Sequence, residues 1–301
     1  MLMNVDPPKK GTIKSLPAIR FASMTWVLAG HVLMQDISND RYKPVLKIWN
    51  PILSLTIING FFSVDTFFLL SGILVSYLFF KVKPNARYVK SPLVWIMYYV
   101  HRYLRLTPPI MVFIGFFVVY SPLINGPWKI SIVDIFADSP ETCKNYWWRN
   151  MLYINNLFDP IQTCYGITWY LAVDTQLYFV APIFLITFFF SAAAGYALIV
   201  LCSAGSIAYV YAVTIINSLP ATMTFFAMDK VEDFFSDYYI KPWGRCPVYL
   251  IGIAVGYFLA SGKKLKLSKI VVVCGWIVAA AIALAIVYGP HRYMKGVADW
   301  R

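Results

Sequence analysis

The chain has 301 residues, of which 59% are hydrophobic and 18% aromatic but only 13% charged, about half the charged share of an ordinary soluble domain. That balance excludes a soluble enzyme. The net charge of +12 would suit nucleic acid only if the basic residues made one stripe, whereas here they gather in alternate loops, so the predicted fold is all-α, a polytopic transmembrane bundle.

In chain order, residues 1–15 form a basic segment with Lys9, Lys10 and Lys14. The first predicted span, Ala18 to Met34, has no short apolar core followed by a small-residue cleavage site, so it reads as an anchor rather than a cleaved signal. Its "RFASMTWVLAGH" places Arg20 at one end and His31 at the other. A second span, Ser54 to Phe80, carries Asp65 in "NGFFSVDTFFLLSG" and runs into the basic connector "KVKPNARYVKSP". The third, Pro109 to Pro122, is preceded by "YYVHRYLRLTPP", which sets His101, Arg102 and Arg105 at its foot.

Residues 123–166 are an outer loop in which Cys143 and Cys164 are expected to pair, because the space outside the membrane permits oxidation. Within that loop "YWWRNMLYINNLF" is rich in the Trp and Tyr that favour the lipid–water interface. The fourth span, Ile167 to Phe190, holds Asp174 in "GITWYLAVDTQLYFVAPIF". Gly195 to Ile216, Pro247 to Ala260 and Ile270 to Tyr288 complete about seven spans, with "MDKVEDFFSDYYIKPWGRC" as an outer loop and "SGKKLKLSK" as a basic connector. The three lysine-rich segments agree on one threading, with the N-terminus cytosolic. Cys202, Cys246 and Cys274 fall in or beside spans and are expected to be free thiols. Gly60, Gly72, Gly252 and Gly256 are read as points of close helix packing.

Only Asp65 and Asp174 put acid inside predicted spans, and an intramembrane carboxylate costs at least about 2.5 kcal/mol unless paired or hydrated. Counting about 1.5 Å per residue from the span ends sets His31 about 16 Å above the inner boundary and the two aspartates at about 18 to 21 Å. A shared level would let a carboxylate fix the imidazole tautomer and raise its basicity. The competing readings are an interfacial or packed histidine, structural hydrogen bonds for the aspartates, and arginines that snorkel to lipid phosphates. On the functional reading, guanidiniums at the cytosolic rim and a base about 16 Å deeper suit a donor with a polyphosphate head and a long thin arm, the shape of an acyl-coenzyme A.

These residues resemble the acyltransferase 3 family of integral membrane proteins, in its invertebrate "nose resistant to fluoxetine" branch. The likeness runs from about Leu16 to the C-terminus. It rests on the Arg-x10-His pattern of Arg20 and His31, "SVDTFFLLSGILVS", "YVHRYLRLTPP", "WWRNMLYINNLF" with its flanking cysteines, and "TWYLAVDTQLYFVAP". The resemblance implies acyl transfer from acyl-coenzyme A as co-substrate, with no bound cofactor, to an acceptor handled across the membrane. It makes His31 the catalytic histidine, Arg20 its paired arginine, and Arg102 and Arg105 the basic motif at the third span. Asp174 stands where many bacterial members have the glutamate of "WSLxxE", and Asp65 belongs to the "VDTFF" form of this branch. Family members usually have more than seven helices and this branch a preceding extracellular domain, so residues 16–301 are expected to be a C-terminally incomplete membrane domain.

Three functions compete. In the first, an enzyme, His31 held by Asp174 or Asp65 acts as general base while Arg20, Arg102 and Arg105 bind the donor phosphates. The second is a carrier or permease for lipids or small amphiphiles, which also uses intramembrane Asp and His. The third is a non-catalytic scaffold, in which both aspartates are dispensable. Three scattered histidines argue against a metal site. The expected partners are membrane lipids and the donor, not nucleic acid, and the expected location is the plasma membrane or the endoplasmic reticulum.

Overall fold

The computed structural model describes residues 13, 15–38, 55–57, 59–120, 140–219, 231–263 and 266–291; Lys9, Lys10, Lys14 and Lys264 of the basic clusters lie outside them. Every regular element among the described residues is helical. The long helices are α1 (Ser15–Ser38), α2 (Ser63–Lys81), α4 (Pro92–Tyr120), α6 (Trp169–Phe190), α7 (Ala192–Ile216), α8 (Pro242–Ala260) and α9 (Lys269–Tyr288), with the short α3 (Ala86–Lys90) and the outer α5 (Pro140–Met151) between them. Six helical stretches among the described residues are long and apolar enough to cross a membrane. The 24-residue α1 extends about 36 Å at 1.5 Å per residue, but Arg20 and His31 dilute its apolar character and it is not among the six. The chain is an integral membrane helical bundle.

Local chemistry starts the helices. The Ser191 and Ser268 hydroxyls accept from Ala194 N and Val271 N, each at 3.3 Å, which caps α7 and α9. Asn85 Oδ1 accepts from Tyr88 N at 2.8 Å and caps α3. Pro242 opens α8, where the lost N–H was an orphan in any case. Two boundaries differ from the sequence reading. The helix expected from Pro109 begins at Pro92 and carries Pro108 and Pro109 in its interior, a tolerance seen in membrane helices when neighbours satisfy the freed carbonyls. The helix expected from Pro247 begins at Pro242.

The centre of the bundle is α2 packed on α8, with α6 and α7 beside them and α1 on the free face of α2. Backbones touch where side chains are missing: a Cβ on Gly72 would lie 2.2 Å from the Tyr249 carbonyl, and one on Gly252 would lie 2.4 Å from that of Leu69. Phe68, Val173, Leu185, Tyr249 and Ile253 close the core around this crossing. No residue of α9 is buried. Its outer end meets the segment before α2, where Tyr288 and Thr56 share a hydroxyl hydrogen bond of 2.7 Å and Asn59 Nδ2 donates to Val287 O at 2.6 Å.

Candidate functional site

Two ion pairs tie the helices together inside the bundle. On α4, Tyr98 and Arg102 are four residues apart; on α6, Asp174 and Tyr178 repeat that spacing, so both rows present one face. Arg102 donates to Asp174 Oδ2, and its guanidinium lies 4.0 Å from the centre of the Tyr178 ring. Tyr98 stacks on that ring at 4.0 Å with 5° between planes. Asp174 is 8% exposed, so the pair is shielded from water and its two charges are strongly coupled.

This corrects the expected position of Arg102. It is ten residues inside the N-terminus of α4, about 15 Å along the axis, and it faces a carboxylate instead of the cytosolic rim. The amphipathic first half of α4 read as a polar flank because the countercharge of Arg102 lies on another helix. Arg105 and His101 are exposed on the same helix, and Arg105 is not brought onto Asp174.

The second pair joins Asp65, at the start of α2, to Arg245, at the start of α8. Arg245 Nη1 donates to Asp65 Oδ1 and Oδ2 at 3.0 and 3.2 Å, and its Nε donates to Tyr239 O at 3.0 Å. The guanidinium is 4.4 Å from the centre of the Tyr239 ring, and the residue is 4% exposed. Sequence reasoning missed Arg245 because it placed "KPWGRC" in a loop. The signal was Pro242: a proline at the first position of a helix moves the boundary outward and carries Arg245 into the bundle.

His31 meets neither carboxylate. Its Nδ1–H donates to the Val27 carbonyl of its own helix at 2.9 Å, and each aspartate is engaged by an arginine. The depth ruler failed for a definite reason. Thr66, next to Asp65, donates to Ser23 Oγ, so the Asp65 level of α2 meets α1 at Ser23. His31 is eight residues further along, about 12 Å outward. Two neighbouring contacts agree: Trp26 Nε1 donates to Thr56 O at 2.5 Å, and a Cβ on Gly30 would sit 3.5 Å from Ile57 O. Arg20, three residues inward of Ser23, falls about 4.5 Å from the level of that contact. Arg20 is exposed and forms no ion pair among the described residues.

Cys143 and Cys164 form a disulfide, S–S 2.06 Å, that closes the outer element carrying α5; Cys202, Cys246 and Cys274 are free. Among the described residues no group of three His, Cys, Asp or Glu could hold a metal ion.

Two curated relatives and one family model match the chain. Nose resistant to fluoxetine protein 6 of Caenorhabditis elegans is 29% identical over 309 residues, covering 94% of this chain and 37% of that protein. Regulator of hypoxia-inducible factor 1 of the same organism is 25% identical over 275 residues, covering 84% of this chain and 52% of that protein. The chain thus spans about half the length, or less, of these relatives. No solved structure matches it. The family model described as an acyltransferase domain matches residues 13–300, nearly the whole chain, and the chain therefore belongs to the acyltransferase 3 family.

Proposed function

We propose that the protein transfers an acyl group from a cytosolic acyl-coenzyme A type of donor to a hydroxyl-bearing acceptor, with His31 as general base. The observation that carries this reading is the His31–Val27 hydrogen bond. A carbonyl can only accept, so Nδ1 carries the hydrogen and the neutral ring keeps its lone pair on Nε2. In this scheme the backbone carbonyl, not an aspartate, orients the ring. Nε2 takes the acceptor's O–H proton, the oxygen attacks the thioester carbonyl, the C–S bond breaks, and the proton passes to the departing thiolate.

Arg20 lies on the same helix about 16 Å inward, which suits the length of a donor arm between phosphate and thioester. Arg20 and Arg105 are both exposed, and their guanidiniums take the phosphate oxygens. Arg102, engaged by Asp174, shapes the wall beside them. The lysine-rich connectors put the N-terminus on the cytosolic side. The membrane is the plasma membrane or the endoplasmic reticulum, in either of which the outer element faces an oxidising space.

The test is a single substitution. His31→Ala in proteoliposomes supplied with radiolabelled acyl-coenzyme A should lose acyl transfer by at least about a hundredfold, the usual contribution of a positioned base, with the unfolding midpoint unchanged. Turnover equal to that of the unaltered protein would refute the role. A second reading, a carrier for lipids or small amphiphiles, draws on the two buried ion pairs, since such intramembrane charges also serve transport. Donor binding lost on Arg20→Gln favours the enzyme; transport surviving that change with no donor binding favours the carrier.

A further inference from the structure

α4 and α6 meet through long side chains: Arg102 with Asp174, Tyr98 with Tyr178, and Tyr99 with Phe179, whose rings are 4.9 Å apart. Helices joined in this way do not fix their own separation as the glycine crossing of α2 and α8 does. At the outer end of the gap stands Tyr153. Its backbone is in the left-handed region, φ 57°, a conformation that is unfavourable for a non-glycine residue and persists only where its surroundings impose it. Its hydroxyl shares a hydrogen bond of 3.1 Å with Thr107 of α4, its ring lies edge-on to Tyr103 of α4, and its carbonyl accepts from Gln176 Nε2 of α6 at 2.7 Å. Thr107 is five residues from Arg102 and Gln176 two from Asp174. One residue outside the spans therefore holds both helices beside the ion pair.

The outer element keeps Tyr153 in place. The disulfide joins α5 to the segment before α6, and Tyr153 packs with Cys143, Cys164, Ile110, Ile114 and Ala172 in one buried cluster. Asn150, also buried, donates to Cys164 O and to Thr168 Oγ1, the latter at 2.6 Å. We propose that the disulfide-closed element is a brace and Tyr153 its positioning residue, which sets the separation of α4 and α6 and so the alignment of Arg102 with Asp174 from outside the membrane. The proposal rests on the functional reading above only in giving the Arg102–Asp174 wall a part in acyl transfer.

The experiment uses the full chain in lipid nanodiscs, with Cys202, Cys246 and Cys274 changed to Ser and a cysteine pair at positions 99 and 179 joined by a short bifunctional maleimide. A pair at positions 80 and 257, whose native rings are 4.9 Å apart, reports α2 against α8. Tyr153→Ala and Gln176→Leu should each lower cross-linking of 99 to 179 several-fold and leave 80 to 257 unchanged, and Tyr153→Phe, which keeps the ring and the carbonyl, should retain most of it. Unchanged 99-to-179 cross-linking in both disruptive variants overturns the brace. So does an equal fall in both pairs, because the element would then be general scaffolding. Acyl transfer on the same samples, without the cysteine pair, separates the two claims. Lost cross-linking with full transfer leaves the brace standing and removes the ion pair from the reaction.

Discussion

Arg245 and Asp65 show at the residue scale why an ion pair within a membrane bundle is a coupled unit. Removing one member leaves the other as an uncompensated buried charge, at a cost of about 3–5 kcal/mol, whereas replacing both with apolar side chains is close to neutral. Arg245→Leu and Asp65→Leu should therefore each lower the unfolding free energy in mild detergent, followed by denaturant titration, by that order, and the double substitution should recover most of it. Equal losses in the single and double variants would mean that the two residues act independently. Tyr153 carries a different prediction. Burial pushes its phenol above the ordinary tyrosine value, against a smaller opposing effect of the Thr107 hydrogen bond. A raised pKa means that the folded protein holds this proton more tightly than the unfolded chain. The contribution to stability is thus complete below about pH 10 and lost as pH rises through the folded value. Cross-linking of positions 99 and 179, taken as a ratio to that of 80 and 257 at the same pH to cancel the thiols' own titration, should be flat between about pH 6 and pH 9; a decline of the ratio within that window would count against a neutral phenol in the brace.

At the scale of elements, the α2–α8 crossing is the most exacting contact. Gly72→Ala places a methyl 2.2 Å from a backbone carbonyl, and neither helix can yield without parting. It should lower the thermal midpoint by several degrees or abolish folded protein on size-exclusion chromatography, while Gly275→Ala on α9, with nothing within 4 Å, should change neither. The glycines were legible as packing points in sequence because small residues at such spacing in an apolar run have few other uses. The apolar runs gave the helices themselves. Less legible were the ends: α4 starts at Pro92 and α8 at Pro242, because hydropathy cannot count a charged turn as helix when its countercharge lies on another segment. The candidate site was legible residue by residue but not in its pairing. Arg102, Asp174, Asp65 and His31 each stood out, yet a depth ruler measured from span ends cannot see the stagger that sets Ser23, not His31, beside Thr66.

For the molecule as a whole, charge and oxidation give independent bearings on orientation. Lys81 ends α2 and Lys83, Arg87 and Lys90 follow it, while Lys263 and Lys266 lie between α8 and α9 and Lys269 opens α9; these are the ends that the positive-inside rule assigns to the cytosol. The element closed by the Cys143–Cys164 bridge lies at the opposite end of α8, where Asn156 Nδ2 donates to Ile240 O at 3.1 Å just before that helix starts, and a disulfide persists in an oxidising space. Both features therefore demand the same threading. Single cysteines at Arg87, Lys263, Glu141 and Asp159, all exposed, can check it in a chain whose three free thiols are Ser. For protein at the surface of sealed cells an impermeant maleimide should label the 141 and 159 positions and reach 87 and 263 only after permeabilisation. The reverse pattern would place the disulfide in a reducing compartment and His31 at the cytosolic surface, and a donor gripped at Arg20 would then have to enter from the wrong side.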